Sequence, residues 1–272
     1  MAAETISGGQ TDSMFFGNWV GSSILDEARP HNVIKPLLNK EGKRPGLVFN
    51  FPIQDDPGAA ASNQTEGTAF TNTALTTSSQ TATARLNGMV ATVTDVLDAI
   101  SIVDAVGHFS QVLGRSVAEE FEVTAGAVFA NSTGAWSAAT LAGFYNAMAD
   151  LEAADASGSF VAVVLPSVLA TLRTDIETST GAFWGGAKAQ ASEGATDAQS
   201  SGYVGPIGGV PVYMTSAAGT SCMFVNGVSH GLYEVWDVKA ETHRDIFQPG
   251  TQLAATSLYG VCTVRAAWST DV

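Results

Sequence analysis

The stretch 93–130, VTDVLDAISIVDAVGHFSQVLGRSVAEEFEVTAGAVFA, changes the hydrophobic period of the chain from strand-like to helical. Apolar residues recur at steps of mostly three and four positions between Ile102 and Val128, with acidic residues between them. This spacing predicts one amphipathic helix over about residues 102–130. At 1.5 Å per residue such a helix extends roughly 40 Å, so we expect it to span a whole domain.

Three glycines, Gly107, Gly114 and Gly126, lie inside this predicted helix. Each weakens a helix by about 1 kcal/mol relative to alanine. Close packing of the helix backbone against a sheet or a neighbouring subunit would explain why they are tolerated.

Segment 46–94, directly before the helix, carries only four charged residues, Asp55, Asp56, Glu66 and Arg85. Its two ends, 46–54 and 81–95, alternate in the manner of strands, and small polar residues join them. A segment of this composition buries too little apolar area to fold by itself. We therefore expect an extended hairpin that projects from the body and lies on another molecule.

The amino-terminal segment 13–29, SMFFGNWVGSSILDEAR, has a short apolar face that glycines interrupt. It could form an ordinary terminal helix on its own core or an arm that packs on a neighbour. Its dense aromatic residues and weak helix propensity favour the arm.

The rest of the chain mixes helices and strands, which predicts an α+β fold. Helices are predicted at 137–155 and 167–176, with a buried strand at 160–166 between them. Residues 185–202 are of low complexity and predict a flexible loop. Four further strand-like runs follow, at 208–216, 220–227, 232–246 and 253–268.

The composition limits the classes of function. Charged residues make up 14% of the chain, hydrophobic residues 45%, and the net charge is −14, whereas typical soluble domains are roughly 25% charged. So few charges suggest that much of the surface is covered by another molecule. Because the chain is strongly acidic, it should be repelled by the phosphate backbone, so sequence-specific binding in the grooves of DNA is not expected. No apolar run is long enough for a membrane span and no leader is visible. Cys222 and Cys262 stand alone and are expected to be reduced core thiols.

One sequence motif suggests catalysis. Residues 227–231, GVSHG, match the G-x-S-x-G nucleophile elbow and make Ser229 a candidate nucleophile. The run that follows is β-patterned, whereas an elbow requires a helix, and little chain remains for the other catalytic residues. A serine hydrolase is therefore a remote alternative. The histidines lack metal-ligand spacing, and the glycine-rich stretch 202–209 is no phosphate loop. We expect no catalytic residue, cofactor or metal.

Taken in order, these segments resemble the major capsid proteins of tailed bacteriophages, which have the Hong Kong 97 phage fold. The resemblance covers nearly the whole chain. It rests on VTD (93–95) and LGRSVA (113–118) around the long helix, on IGGVPVY (207–213), and on the closing SLYGVCTVRAAW (257–268).

The resemblance implies a division of the chain into four parts. These are an N-terminal arm at 1–45, an extended E-loop at 46–94, a P-domain at 95–132 and 236–272 with its spine helix at about 102–130, and an A-domain at 133–235. It further implies a structural protein that assembles as pentamers and hexamers into an icosahedral shell around phage double-stranded DNA. An encapsulin-like protein compartment of the same fold is the main alternative.

The resemblance also implies partners and contacts. Expected partners are further copies of the chain, a separate scaffolding protein, a portal and a decoration or cement protein. DNA is expected to be enclosed without sequence-specific binding, and no membrane is expected. The expected location is the virion capsid, assembled in the host bacterial cytoplasm. Some members cross-link their subunits through a loop lysine, but residues 44–187 contain no lysine, so no E-loop cross-link is expected. The residues predicted to contact other subunits are Phe15, Phe16, Trp19, Phe49, Phe51, Phe70 and Arg85.

Overall fold

A computed structural model of the chain describes residues 32–54, 66, 74–100, 105–178, 202–245 and 249–272. The helices are α1 (Asp95–Ile100), α2 (Ala105–Phe129), α3 (Leu141–Ala153) and α4 (Pro166–Thr178). The strands are β1 (Asn39–Glu41), β2 (Val48–Gln54), β3 (Thr77–Thr83), β4 (Arg85–Thr94), β5 (Gly134–Ala135), β6 (Phe160–Val164), β7 (Tyr203–Ile207), β8 (Val210–Met214), β9 (Cys222–Val225), β10 (His230–Asp245), β11 (Gly250–Thr263) and β12 (Ser269–Asp271). The predicted α+β fold class is confirmed.

The long helix predicted from the periodicity is α2, which is 25 residues long. Its buried stripe recurs at every fourth position from Leu113 to Phe129, with Val117, Phe121 and Ala125 between them. Residues four apart lie on one helical face, so this stripe faces the sheets. None of the helices in the described ranges is long and apolar enough to cross a membrane.

A six-stranded sheet in the order β5-β12-β9-β6-β8-β7 lies between two layers of helix. Val161 and Val163 of β6 pack in one hydrophobic cluster with α2. Ala162 and Val164 of the same strand pack in another cluster with α3 and α4. Successive strand side chains point to opposite faces, so a strand that is apolar throughout, as predicted for 160–166, is buried on both sides.

A four-stranded sheet in the order β1-β10-β11-β4 packs its inner face on α2. β10 and β11 form a long antiparallel pair, and the short β1 is parallel to β10. Strand β4 runs antiparallel to β11 from Arg85 to Thr94 and lies at the edge of the sheet. The strand predicted at 232–246 is thus confirmed as β10. The strand predicted at 253–268 is confirmed only in its first part, because β11 ends at Thr263 and a 3-10 turn follows at Ala266–Trp268.

The predicted pairing of 46–54 with 81–95 is wrong for residues 85–94, which pair with β11 and not with β2. β2 pairs with β3 at Thr77–Thr83, and the chain then crosses at Ala84 into β4, which joins the four-stranded sheet. The backbone N–H of Ala84 donates to the carbonyl of Leu47 at 2.7 Å and closes the hairpin. The physical reason is burial, because Val93 of β4 packs against α2, whereas β3 is polar and mostly exposed.

The predicted boundary between the A-domain and the P-domain, at 235/236, falls inside β10, where the register with β11 shifts on both sides of Trp236. Strands β6 and β9 share a hydrophobic cluster with α2. The division into four parts therefore stays a prediction. β7 lies within the glycine-rich stretch 202–209, and the predicted loop at 185–202 falls almost wholly outside the described residues.

Candidate assembly surfaces

The β2–β3 hairpin is attached to the body of the chain by aromatic contacts at its base. Phe51 is 2% exposed and packs edge-on against Phe49, with ring centroids 4.8 Å apart. Phe49 stacks on Tyr233 of β10 at 5.5 Å. A side chain on Gly231 would meet the Phe51 ring at 2.7 Å, so only glycine lets the hairpin approach β10 this closely.

Hydrogen bonds hold both ends of β2. The Tyr233 hydroxyl lies 2.8 Å from the carbonyl oxygen of Gly46 and 3.0 Å from that of Arg44, just before the strand. At the other end, the guanidinium of Arg265 donates to the carbonyl of Gln54 at 3.2 Å. Because both ends are tied to β10 and to the segment after β11, the body of the chain sets the direction of the hairpin.

The root of the N-terminal arm, Asn32 to Leu38, packs on its own body. Ile34 is buried against α2, and its backbone N–H donates to the carboxylate of Glu122 at 2.8 Å. Burial raises the pKa of Glu122, although the hydrogen bond from Ile34 opposes that shift. Residues 32–38 are thus held in a fixed position beside α2.

Ion pairs on β10 hold the same root. The ammonium of Lys35 lies 2.8 Å from Glu234 and 2.7 Å from Asp237, and Lys40 also pairs with Glu234. Burial alone would lower the pKa of Lys35, but the two carboxylates outweigh it and raise that pKa. Sequence reasoning missed this cluster, because its members lie about 200 positions apart in the chain and no local pattern links them.

Apolar side chains are exposed along β4 and next to the hairpin. Leu86 is 66% exposed and Val90 is 62% exposed, with Met89 between them. Leu47 and Val48, at the start of the hairpin, are exposed as well. Exposed apolar side chains on neighbouring elements are typical of surfaces that bind another protein.

The structure separates the residues predicted to contact other subunits. It brings Phe49 and Phe51 together at the hairpin base and places Arg85 in an exposed position at the start of β4. Phe51 is buried in its own chain, which gives it a role in orienting the hairpin and leaves little surface for a neighbour. The other predicted contacts, Phe15, Phe16, Trp19 and Phe70, lie outside the described residues. All of these contacts remain predictions.

Ser229 does not form a nucleophile elbow. It is fully buried, its hydroxyl donates to the carbonyl of Trp268 at 2.7 Å, and the same oxygen accepts the N–H of Val225 at 3.0 Å. Strand β10 begins at the next residue, where an elbow requires a helix. Ser229 therefore closes a turn. Within the described ranges, no three histidine, cysteine, aspartate or glutamate side chains group as metal ligands.

Comparison with known proteins identifies the fold. No family model matches the chain, and no curated protein matches it significantly. Among solved structures, the capsid of the cyanophage P-SCSP1u matches at a TM-score of 0.66 with 15% identity, covering 89% of this chain and 88% of that one. A structure from Mycobacterium phage Adephagia matches at a TM-score of 0.66 with 8% identity, covering 98% of this chain and 97% of that one. The capsid of a native GTA particle matches at a TM-score of 0.64 with 11% identity, covering 100% of this chain and 93% of that one.

The chain therefore has the fold of the capsid proteins of tailed bacteriophages. At identities of 15% or less, the likeness establishes the fold. The resemblance inferred from the order of segments in the sequence is confirmed at that level.

Proposed function

We propose that this chain is the major capsid protein of a tailed bacteriophage. Copies assemble as pentamers and hexamers into an icosahedral shell that encloses double-stranded DNA. The observation that carries the proposal is the likeness to phage capsid structures over nearly the full length of both chains.

The surface chemistry supports an assembling subunit. Apolar side chains are exposed at Leu86 and Val90 on β4 and at Leu47 and Val48 at the hairpin. Such exposure is unfavourable in water and is typical of surfaces that bind another protein. The base of the hairpin is rigidly tied through Tyr233, so the hairpin can be presented to a neighbouring copy in one orientation. In the proposed shell, the arm and the hairpin reach neighbouring subunits, and Phe49 and Arg85 contribute to those contacts.

The acidic composition supports enclosure of DNA without binding to it. A net charge of −14 disfavours contact with phosphates, so packaged DNA would not adhere to the shell wall and could leave it. Purified subunits are expected to show no retention on DNA at moderate salt. Tight binding of duplex DNA by the purified chain would contradict this part of the proposal.

Other proteins complete the proposed particle. We infer a separate scaffolding protein, a portal and a cement protein, with assembly in the cytoplasm of the host bacterium. A cement protein would add non-covalent stability to a shell in which segment 44–187 offers no lysine for cross-linking.

Electron microscopy of the purified, recombinant chain tests the proposal. Closed icosahedral particles or capsomers are expected. A monomer that stays monomeric at high concentration, alone and with any co-expressed scaffolding protein, would overturn it. Particles from the natural source should contain DNA, whereas particles loaded with an enzyme would identify an encapsulin-like compartment of the same fold.

A further inference from the structure

The two edges of the four-stranded sheet differ in how they are protected. One edge is β1, which is three residues long and includes Lys40 and Glu41. Lys40 is held by an ion pair to Glu234, so this edge is short and charged, as in proteins that resist edge-to-edge pairing. The opposite edge is β4, which is ten residues long.

The β4 edge differs from the β1 edge in length, charge and regularity. Its sequence, RLNGMVATVT, contains no lysine and no proline, and its only charge is Arg85 at the first position. Its register with β11 is unbroken from Arg85 to Thr94, without a bulge. Within the described part of the chain, no strand pairs with the outer side of β4. A long, regular and apolar edge is a template for another strand.

Charge indicates which partner fits this edge. Two copies of a chain with a net charge of −14 repel each other overall. Strands β2, β3 and β4 together carry one charged side chain, Arg85, which is basic. A second copy can therefore approach along this neutral part of the molecule without bringing acidic side chains together.

We propose that β4 pairs through its outer edge with an extended strand of a second copy of this chain. Backbone hydrogen bonds along residues 85–94 supply the affinity, and the exposed side chains of Leu86, Met89 and Val90 are covered in the contact. The inference rests on the proposed function, because it names the element through which subunits of the shell join.

Residue-resolved hydrogen exchange, measured on assembled particles and on subunits dissociated from them, tests the pairing. In an antiparallel pair, alternate residues direct their backbone groups to each neighbour. Alternate amides of residues 85–94 should therefore exchange freely in the dissociated subunit and at least about tenfold more slowly in the particle. The amides of β6, which are internal to the subunit, serve as the unchanged reference. Equal exchange at all positions of 85–94 in the two states would overturn the proposal.

A pair of variants adds a second test. Val90→Lys places a charge on the edge, and Val123→Lys makes the same change at a residue of α2 that is 44% exposed. With folding checked by circular dichroism, Val90→Lys should lower the yield of particles at least about tenfold relative to Val123→Lys. If Val90→Lys forms particles in normal yield, with the same slow exchange at alternate amides of residues 85–94 as the wild type, the proposed role of the β4 edge would be contradicted. If Val90→Lys does not fold, the hydrogen-exchange comparison between wild-type particles and dissociated wild-type subunits still tests the pairing.

The outcomes separate this inference from the proposed function. Shells in which β4 exchanges as in free subunits would overturn the edge pairing and leave the capsid function intact. A closed dimer with a protected β4 and no shell would overturn the capsid function and support the pairing. Protection that requires an added second protein would overturn the choice of a second copy as the partner.

Discussion

At the scale of single residues, His230 lies in an apolar environment that is unfavourable for a charged imidazole. Its ring packs between Phe129 and Phe224, with ring centroids 5.1 and 5.0 Å away. The residue is 1% exposed, and neither ring nitrogen has a hydrogen-bond partner among the described residues. Burial therefore disfavours the imidazolium and lowers the pKa of His230 to about 4.

This burial predicts an acid-sensitive subunit. The unfolded chain binds the proton near pH 6.5, whereas the folded chain binds it only near pH 4, so stability falls as the pH drops between those values and levels off below them. The loss should reach about 3 kcal/mol in the free energy of unfolding. Denaturant unfolding of dissociated subunits at several pH values measures it.

The control uses two variants. His230→Leu should remove this part of the pH dependence, whereas His243→Gln, at an exposed position on β10, should keep it. Identical pH dependence in the wild type and in His230→Leu would show that another group causes the loss.

At the scale of elements, α2 shows why glycine is placed where it is. A Cβ on Gly126 would lie 2.6 Å from the backbone of Ala218, whereas a Cβ on Gly114 meets nothing within 4 Å. Gly126 therefore permits close packing, although its neighbour is the loop between β8 and β9 and not the expected sheet or second subunit. For Gly114, no described part of this chain supplies the neighbour.

The two glycines predict opposite effects of the same substitution. Gly114→Ala should stabilise the subunit by about 1 kcal/mol, because alanine favours the helix. Gly126→Ala should destabilise it by about 1–3 kcal/mol, because the new methyl group collides with backbone. Thermal unfolding of both variants measures the difference. Stabilisation by Gly126→Ala would contradict the close approach, and a defect of Gly114→Ala confined to assembly would locate a neighbouring subunit there.

At the scale of the whole molecule, the six-stranded sheet joins the parts of the chain. Helices α3 and α4 cover one face of the sheet, and α2 covers the other. The hairpin and the root of the arm are both fixed to β10, through Tyr233 and Glu234 respectively. In the proposed shell, contacts that other copies make with either segment would therefore act on the same strand.

The distribution of lysine predicts a shell without covalent links between subunits. All five lysines, Lys35, Lys40, Lys43, Lys188 and Lys239, lie outside the hairpin. Particles boiled in detergent and run on a denaturing gel should give one band near 28.0 kDa. A ladder of multiples of that mass would contradict the prediction, and a chemically cross-linked sample serves as the positive control.

Several features were accessible from the sequence because their causes are local. The period of three and four residues predicted α2, and the continuous apolar run of β6 predicted a strand that is buried on both faces. The β-patterned run after Ser229 already argued against an elbow, and the structure agrees. The order of these segments was sufficient for the resemblance to capsid proteins.

Other features depend on partners that are distant in the chain. The sequence determined where helices and strands form, and the class of fold they build, because hydrophobic periodicity is a property of neighbouring residues. Only the tertiary structure decided that the run 81–95 divides at Ala84, that Lys35 pairs with Glu234, and that β4 is the last of the described strands in its sheet. Each of these depends on which surfaces can be buried together, and that is settled by packing across the whole molecule.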